Sequence, residues 1–228
     1  MTLGHPRYHL RATDSTNERA RALAAAGAPH GTLVTAAEQS AGRGRQGRTW
    51  SAPAGHALLM SVIVRDPPRL LPLVAAVAVA ETADREARIK WPNDVQIDGR
   101  KVAGILVEGR PQERWAVLGI GLNVALRVED LPPELHETAT TMGREPGEVE
   151  PVLRGLLASL GDWLEAGEDA VLAAWRRRDA LNGNEVRWGA NGGIAEGVDD
   201  DGRLLVRLAD GDQVALDAGE VHLARPDA

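Results

Sequence analysis

Gly42-Arg43-Gly44-Arg45-Gln46-Gly47-Arg48-Thr49-Trp50 carries three arginines and three glycines in its first seven residues and lies between two apolar runs. Such a segment cannot form a core, and like charges this close repel unless an anion sits among them. Glycines let the backbone wrap a ligand and aim its N–H groups inward. Guanidinium forks match phosphate or carboxylate oxygens two at a time. The stretch reads as a loop for a polyanionic small molecule.

Two common nucleotide motifs do not fit it. Gly42, Gly44 and Gly47 satisfy G-x-G-x-x-G, and Asp66 stands at a tempting distance for a ribose-binding acid. That fingerprint needs a helix opening within the loop, and Pro53 and Gly55 argue against one. No Gly-Lys-Ser/Thr follows, which removes a Walker-type loop. An arginine clamp on a nucleotide's phosphates survives.

Of the 26 cationic residues only Lys90 and Lys101 are lysines. Both fall in one segment, Lys90-Trp91-Pro92-Asn93-Asp94-Val95 followed by Gly99-Arg100-Lys101-Val102-Ala103-Gly104-Ile105. An ammonium is a compact point charge suited to a single developing oxyanion where a planar fork would not fit.

Working outward, Tyr8 to Ala12 reads as a strand. Ser15 and Glu18 have the spacing of a capping box for an alanine-rich helix ending near Gly27. Strands are expected at Thr32–Ala37 and Ala57–Arg65, and a helix over Leu70–Glu86. Short strands follow at Arg88–Trp91 and Val95–Ile97, then an Asp98-Gly99 hairpin turn returning through Lys101–Glu108, and a strand at Arg114–Ile120. Val149, Val152, Leu153, Leu156, Leu157, Leu160 and Leu164 share one helical face, and Trp175 on the next helix reads as core. From Asn182 short strands broken by Asn191-Gly192-Gly193, Asp199–Gly202 and Asp210-Gly211 suggest a small β-barrel. Being marginal alone, it should pack on the larger unit.

The chain of 228 residues has a net charge of −7, and from Gly183 onward ten acidic residues face four arginines. This balance speaks against general nucleic-acid binding, which normally shows a basic face. No run reaches the roughly 18 apolar residues of a membrane span, and the polar start does not resemble a cleavable signal. The expectation is a cytoplasmic protein with neither nucleic-acid nor membrane partners. With no cysteine there is no disulfide or thiolate chemistry.

The chain resembles the biotin protein ligases. The resemblance rests on Ser15-Thr16-Asn17, Gln39, the Gly42–Trp50 loop, the Lys90–Asp94 segment, Gly99 through Glu108, and Gly119-Ile120-Gly121-Leu122-Asn123, in the family's order. Gln46 departs from it, since the family often has arginine there; three arginines remain.

The resemblance implies an α+β fold. It has a class II aminoacyl-tRNA-synthetase-like catalytic domain of the biotin/lipoate ligase type over residues 1–181, a mixed β-sheet flanked by helices. An SH3-like β-barrel follows over 182–228. It also implies ATP and biotin as substrates, with Mg²⁺, and a biotin carboxyl carrier protein as partner. Ser15, Thr16, Asn17 and Gln39 would hold biotin, helped by Gly42, Arg43, Gly44, Arg45 and Lys101. Arg45, Arg48, Trp50, Asn93, Lys101 and Asn123 would hold the nucleotide. Lys101, Arg43, Arg45, Arg48 and Asp94 would be catalytic, with Asp94 orienting or accepting the proton of the attacking amine. No direct protein motif for a metal is present. Many relatives carry an N-terminal DNA-binding domain, and this chain starts too close to its first catalytic strand to hold one, so no repressor function is expected. A lipoate or octanoate ligase or transferase of the same fold is the nearest alternative, and a non-catalytic nucleotide-binding module a more distant one.

Overall fold

The computed structural model describes residues 3–217 and 221–223, apart from the side chains of residues 110 and 111. Its centre is a seven-stranded sheet. The strands are β1 (Arg7–Leu10), β2 (Leu33–Ala36), β3 (Ala57–Arg65), β4 (Arg88–Lys90), β5 (Asp94–Ile97), β6 (Arg100–Arg110) and β7 (Trp115–Asn123), in spatial order β1-β2-β3-β7-β6-β5-β4. Only the β1–β2 pair is parallel. The long central strands read as largely apolar runs because most of both faces is covered.

Side chains alternate between the two faces of each strand. Val34, Ile63 and Val117 pack with Ala20 and Ala24 of helix α1 (Thr16–Ala25). Leu33, Val62 and Leu118 instead join the main core with helices α2 (Leu71–Ala83), α3 (Val149–Glu165) and α4 (Glu168–Arg177). Helix α1 is short, so it covers only part of its face. Beyond the helix that face carries Ser61 and Gly119, both buried, and then Gly121 and Gly104 in cross-strand register, where it opens. Small residues there leave room that large ones would fill.

The capping box expected of Ser15 and Glu18 does not form. Ser15 is the residue before the first helical turn, but its side chain makes no cap hydrogen bond. Glu18 is instead drawn to arginines, at 3.1 Å from Arg21 and in contact with Arg43. The Asp98-Gly99 turn forms as expected, with φ of 50° and 72° at the two positions.

The C-terminal strands correct the expected barrel. Strands β8 (Glu185–Trp188), β9 (Asn191–Val198), β10 (Leu204–Arg207), β11 (Gln213–Leu216) and β12 (His222–Leu223) form a sheet of order β11-β10-β9-β8-β12. Among the described residues β11 and β12 do not pair, so the sheet stays open rather than closing into an SH3-like barrel. Closure hides a sheet's apolar face against itself. Here Val186, Ala195, Val198, Leu204, Val206 and Val221 join the core of the larger unit instead. The expected packing of this segment on the rest of the molecule is therefore present. Trp91, 2 % exposed, donates its indole N–H to Gly202 O at 3.1 Å across that contact. Arg176 caps Val198 O with two N–H groups. No helix among the described residues is long and apolar enough to cross a membrane.

Candidate active site

The open part of the α1 face is the floor of a cleft of about 940 Å³. Helix α1's first turn and Gln39 form one end. Continuation of β1 and β2 past their ends brings Thr13 beside Gln39 as a parallel bridge. Gln39 Oε1 then accepts from the Thr16 backbone N–H at 2.7 Å and the Thr16 hydroxyl at 3.0 Å. The Ser15 N–H and the Thr13 hydroxyl donate to Asp14, and these bonds hold its carboxyl below the usual range.

Asn17 is gripped at both ends of its amide. Its Oδ1 lies 2.6 Å from the Ser61 hydroxyl and its Nδ2 donates to Glu108 at 2.8 Å. A Cβ on Gly119 would stand 2.0 Å from Asn17 Oδ1, so only glycine fits beneath it. Ser61 is fully buried and also contacts the Thr16 hydroxyl at 2.8 Å.

The arginine-rich loop forms a compact hairpin over the cleft. Gly44 N–H bonds Arg48 O, Arg48 N–H bonds Arg45 O, and Trp50 N–H bonds Gly42 O. Gln46 and Gly47 take the left-handed conformation at its tip, with φ of 54° and 74°. A Cβ on Gly42 would lie 2.3 Å from Trp50 O, so glycine permits the close crossing of the loop's two arms. The Trp50 indole lies on the cross-strand pair Gly104 and Gly121, whose added Cβ atoms would come within 3.0 and 2.4 Å of the ring. Lys101 Nζ stands 5.7 Å from the ring centroid, within cation–π range.

Lys101 reaches this face through an irregularity. It is three residues from Gly104, and odd spacing in a regular strand would put the two on opposite faces. Between the pairs Val95↔Ala103 and Gln96↔Lys101 the register shifts, leaving Val102 as an extra residue. That bulge turns the lysine back into the cleft. There its Nζ lies 2.6 Å from Asp94 Oδ1, an ion pair without hydrogen-bond alignment. The Lys101 backbone is held on its other side as well: its N–H donates to Thr138 O and its C=O accepts from Thr140 N–H.

Asn93 is tied to β6 twice, its Nδ2 donating to Ile105 O and its backbone O accepting from Ile105 N–H. Its Oδ1 lies 3.4 Å from an Arg45 guanidinium nitrogen. Asn123 donates its side-chain N–H to Thr140 O and is 4 % exposed.

The cleft therefore gathers Ser15, Asn17, Gln39, Arg43, Gly44, Arg45, Arg48, Trp50, Asn93, Asp94, Lys101 and Asn123. Thr16 and Gly42 stand behind this wall, supporting Gln39 and Trp50. Ser61, Glu18 and the platform glycines were not singled out from sequence as site residues, and Glu108 stood only inside a motif. Ser61 had one available signal, a lone hydroxyl within the apolar run Ala57–Arg65. The glycines and Glu108 had none beyond their place in a motif, because their partners come from other strands.

A model of the biotin/lipoate A/B protein ligase family matches residues 10–124, which hold most of this cleft. The chain belongs to that family. A model of the biotin protein ligase C terminal domain matches residues 190–223. The biotin–[acetyl-CoA-carboxylase] ligase of Mycobacterium tuberculosis is 36% identical over 234 residues, covering 92% of this chain and 86% of its own. The bifunctional ligase/repressor BirA of Bacillus subtilis is 36% identical over 220 residues, covering 86% and 68%. Among solved structures, the Aquifex aeolicus biotin protein ligase in complex with biotin and ATP superposes with a TM-score of 0.82 at 28% identity, covering 97% and 100%.

Proposed function

We propose that this chain is an ATP-dependent biotin protein ligase acting in the cytoplasm in two steps. The biotin carboxylate attacks the α-phosphorus of ATP, giving biotinyl-5′-AMP and pyrophosphate. The amine of a carrier-protein lysine then attacks the anhydride carbonyl, AMP departs, and an amide forms with loss of a proton. The observation that carries this reading is the placement of the Lys101–Asp94 pair beneath the arginine loop, in a cleft whose closed end is lined by amides and hydroxyls.

The first step brings two anions together. A fixed cation where charge develops lowers that barrier because it needs no reorganisation. Lys101 fills that role on this reading, bridging carboxylate and α-phosphate. Arg43, Arg45 and Arg48, with the N–H groups near Gly42 and Gly44, border the carboxylate and phosphates. Ser15, Asn17 and Gln39, the last braced by Thr16, receive the ureido ring, which needs a few fixed polar partners in an apolar slot. Trp50 offers its face to biotin's tail and the adenylate, and Asn93 and Asn123 border the nucleotide. Asp94 orients or deprotonates the incoming amine once Lys101 has turned to the phosphate.

Among the described residues no three carboxylates or histidines converge as a metal cage. On this reading Mg²⁺ would be held mainly by the substrate's phosphates and water. The ion would shield phosphate charge. Residues 1–181 carry the chemistry in this reading and residues 182–228 form the C-terminal unit. The partner is a biotin carboxyl carrier protein such as that of acetyl-CoA carboxylase.

ATP–pyrophosphate exchange that depends on biotin tests the proposal. Exchange with lipoate or octanoate in place of biotin would move the assignment to those acids, and no exchange with any of them would remove it.

A further inference from the structure

The arginine loop's internal hydrogen bonds fold it on itself but do not fasten it to the molecule. Besides the seat of Trp50 and the Arg45–Asn93 contact, Arg43 ties the loop to the rest of the molecule. That guanidinium borders the cleft and meets two carboxylates. It contacts Glu18 of α1 and lies 3.2 Å from Glu108 Oε1 of β6. Arg21 stands 3.1 Å from Glu18 and 3.6 Å from Glu108, so two cations and two anions form a balanced quartet.

Glu108 is the member that joins loop and pocket. Its Oε1 meets Arg43, while its Oε2 accepts from the Asn17 amide. Isolated exposed ion pairs contribute little. This carboxylate has a side chain only 19% exposed and serves three partners, so it belongs to a network and not to an isolated pair.

We propose that Glu108 is a positioning residue, a latch that holds the Gly42–Trp50 loop down through Arg43 and couples its closure to Asn17. The proposal rests on the ligase reading for what the closed loop protects: a mixed anhydride that water would convert to biotin and AMP. A closed loop excludes that water. Glu108→Gln keeps an acceptor for Asn17 and removes the charge that holds Arg43.

Two measurements on the full-length protein test it. Trypsin cleavage within Arg43–Arg48, without ligands, should quicken by about 5- to 30-fold in Glu108→Gln, the range of a lost one- or two-kcal/mol contact. With biotin, ATP and no carrier, AMP release from preformed adenylate should rise by a similar factor. Raising salt should increase the wild-type leak more steeply than the variant's, in which only Glu18 still pairs with Arg43. A merely structural defect would not weaken that salt response. Equal cleavage and equal leak in the two proteins would overturn the latch. Should Glu108→Gln fail to fold, Glu18→Gln on the exposed helix surface should move both rates the same way by a smaller factor, and no change there overturns it too. A wild type without biotin-dependent exchange would defeat the ligase reading, while the ligand-free cleavage comparison would still decide the latch.

Discussion

Lys101 and Asp94 face one another across the β5–β6 hairpin with Nζ and Oδ1 2.6 Å apart, and a bulge at Val102 is what puts them on the same face. The pair gives each residue a resting partner that a substrate must displace. Truncating them should therefore separate the two chemical steps. Lys101→Ala should lower adenylate formation by about 10²–10³-fold. Asp94→Ala should cost transfer to the carrier lysine about 10²-fold, and adenylation less. Single-turnover measurement of each step checks this, and wild-type adenylation by Lys101→Ala would remove the assignment.

Trp50 rests on glycines, and the platform is testable by adding one carbon. Gly121→Ala would place a Cβ 2.4 Å from Trp50 Cε2, so the indole must swing away. KM for ATP or biotin should rise about tenfold, the scale of a lost stacking contact. In a Trp50→Ala background the same substitution should add nothing, since the clash is gone. Additive effects would mean that the ring is not what Gly121 accommodates.

Trp91→Phe removes the indole donor to Gly202 O and leaves a carbonyl unpaired where the C-terminal sheet meets the larger unit. A loss of about 1 kcal/mol is expected, lowering the thermal midpoint by about 2–4 °C. An unchanged midpoint in calorimetry would show the bond to be replaced by water.

Asp179 sits beside Ile89 near the same junction, with its Oδ2 lacking a partner. Burial pushes its carboxyl above the usual range, against the Leu181 and Asn182 backbone N–H groups that pull it down. A raised acid binds its proton more tightly folded than unfolded, so its stabilising contribution is full below the unfolded value. That contribution is lost as pH rises through the raised value. Asp179→Asn should therefore flatten the fall in stability from mildly acidic to neutral pH and raise stability at neutral pH by about 1 kcal/mol. Denaturant midpoints across that range decide it, and parallel curves for the two proteins would contradict it.

Local features were readable from sequence because they depend on neighbours in the chain. β3 runs from Ala57 to Arg65 as expected, and Asp98-Gly99 makes its turn because both positions tolerate positive φ. Helix α2 stops at Ala83, short of the expected Glu86, where Asp84 turns extended at φ −166°. Of the residues expected at a site, all but Thr16 and Gly42 border one cleft. What sequence could not supply was long-range pairing. Ser15 and Glu18 had capping spacing, yet Arg21 and Arg43 compete for Glu18. The bulge at Val102 depends on β5, the seat of Trp50 on β6 and β7. The C-terminal strands stay open because a neighbouring core covers their apolar face, which no pattern within residues 182–228 records.

The fastening of Lys101 to Thr138 and Thr140 has a mechanical outcome. Both main-chain polar groups of Lys101 are bonded to one surface strap, which also carries Leu131 and Ala139 at the cleft's rim. A shift of that strap would therefore be passed first to the main chain from which the ammonium hangs.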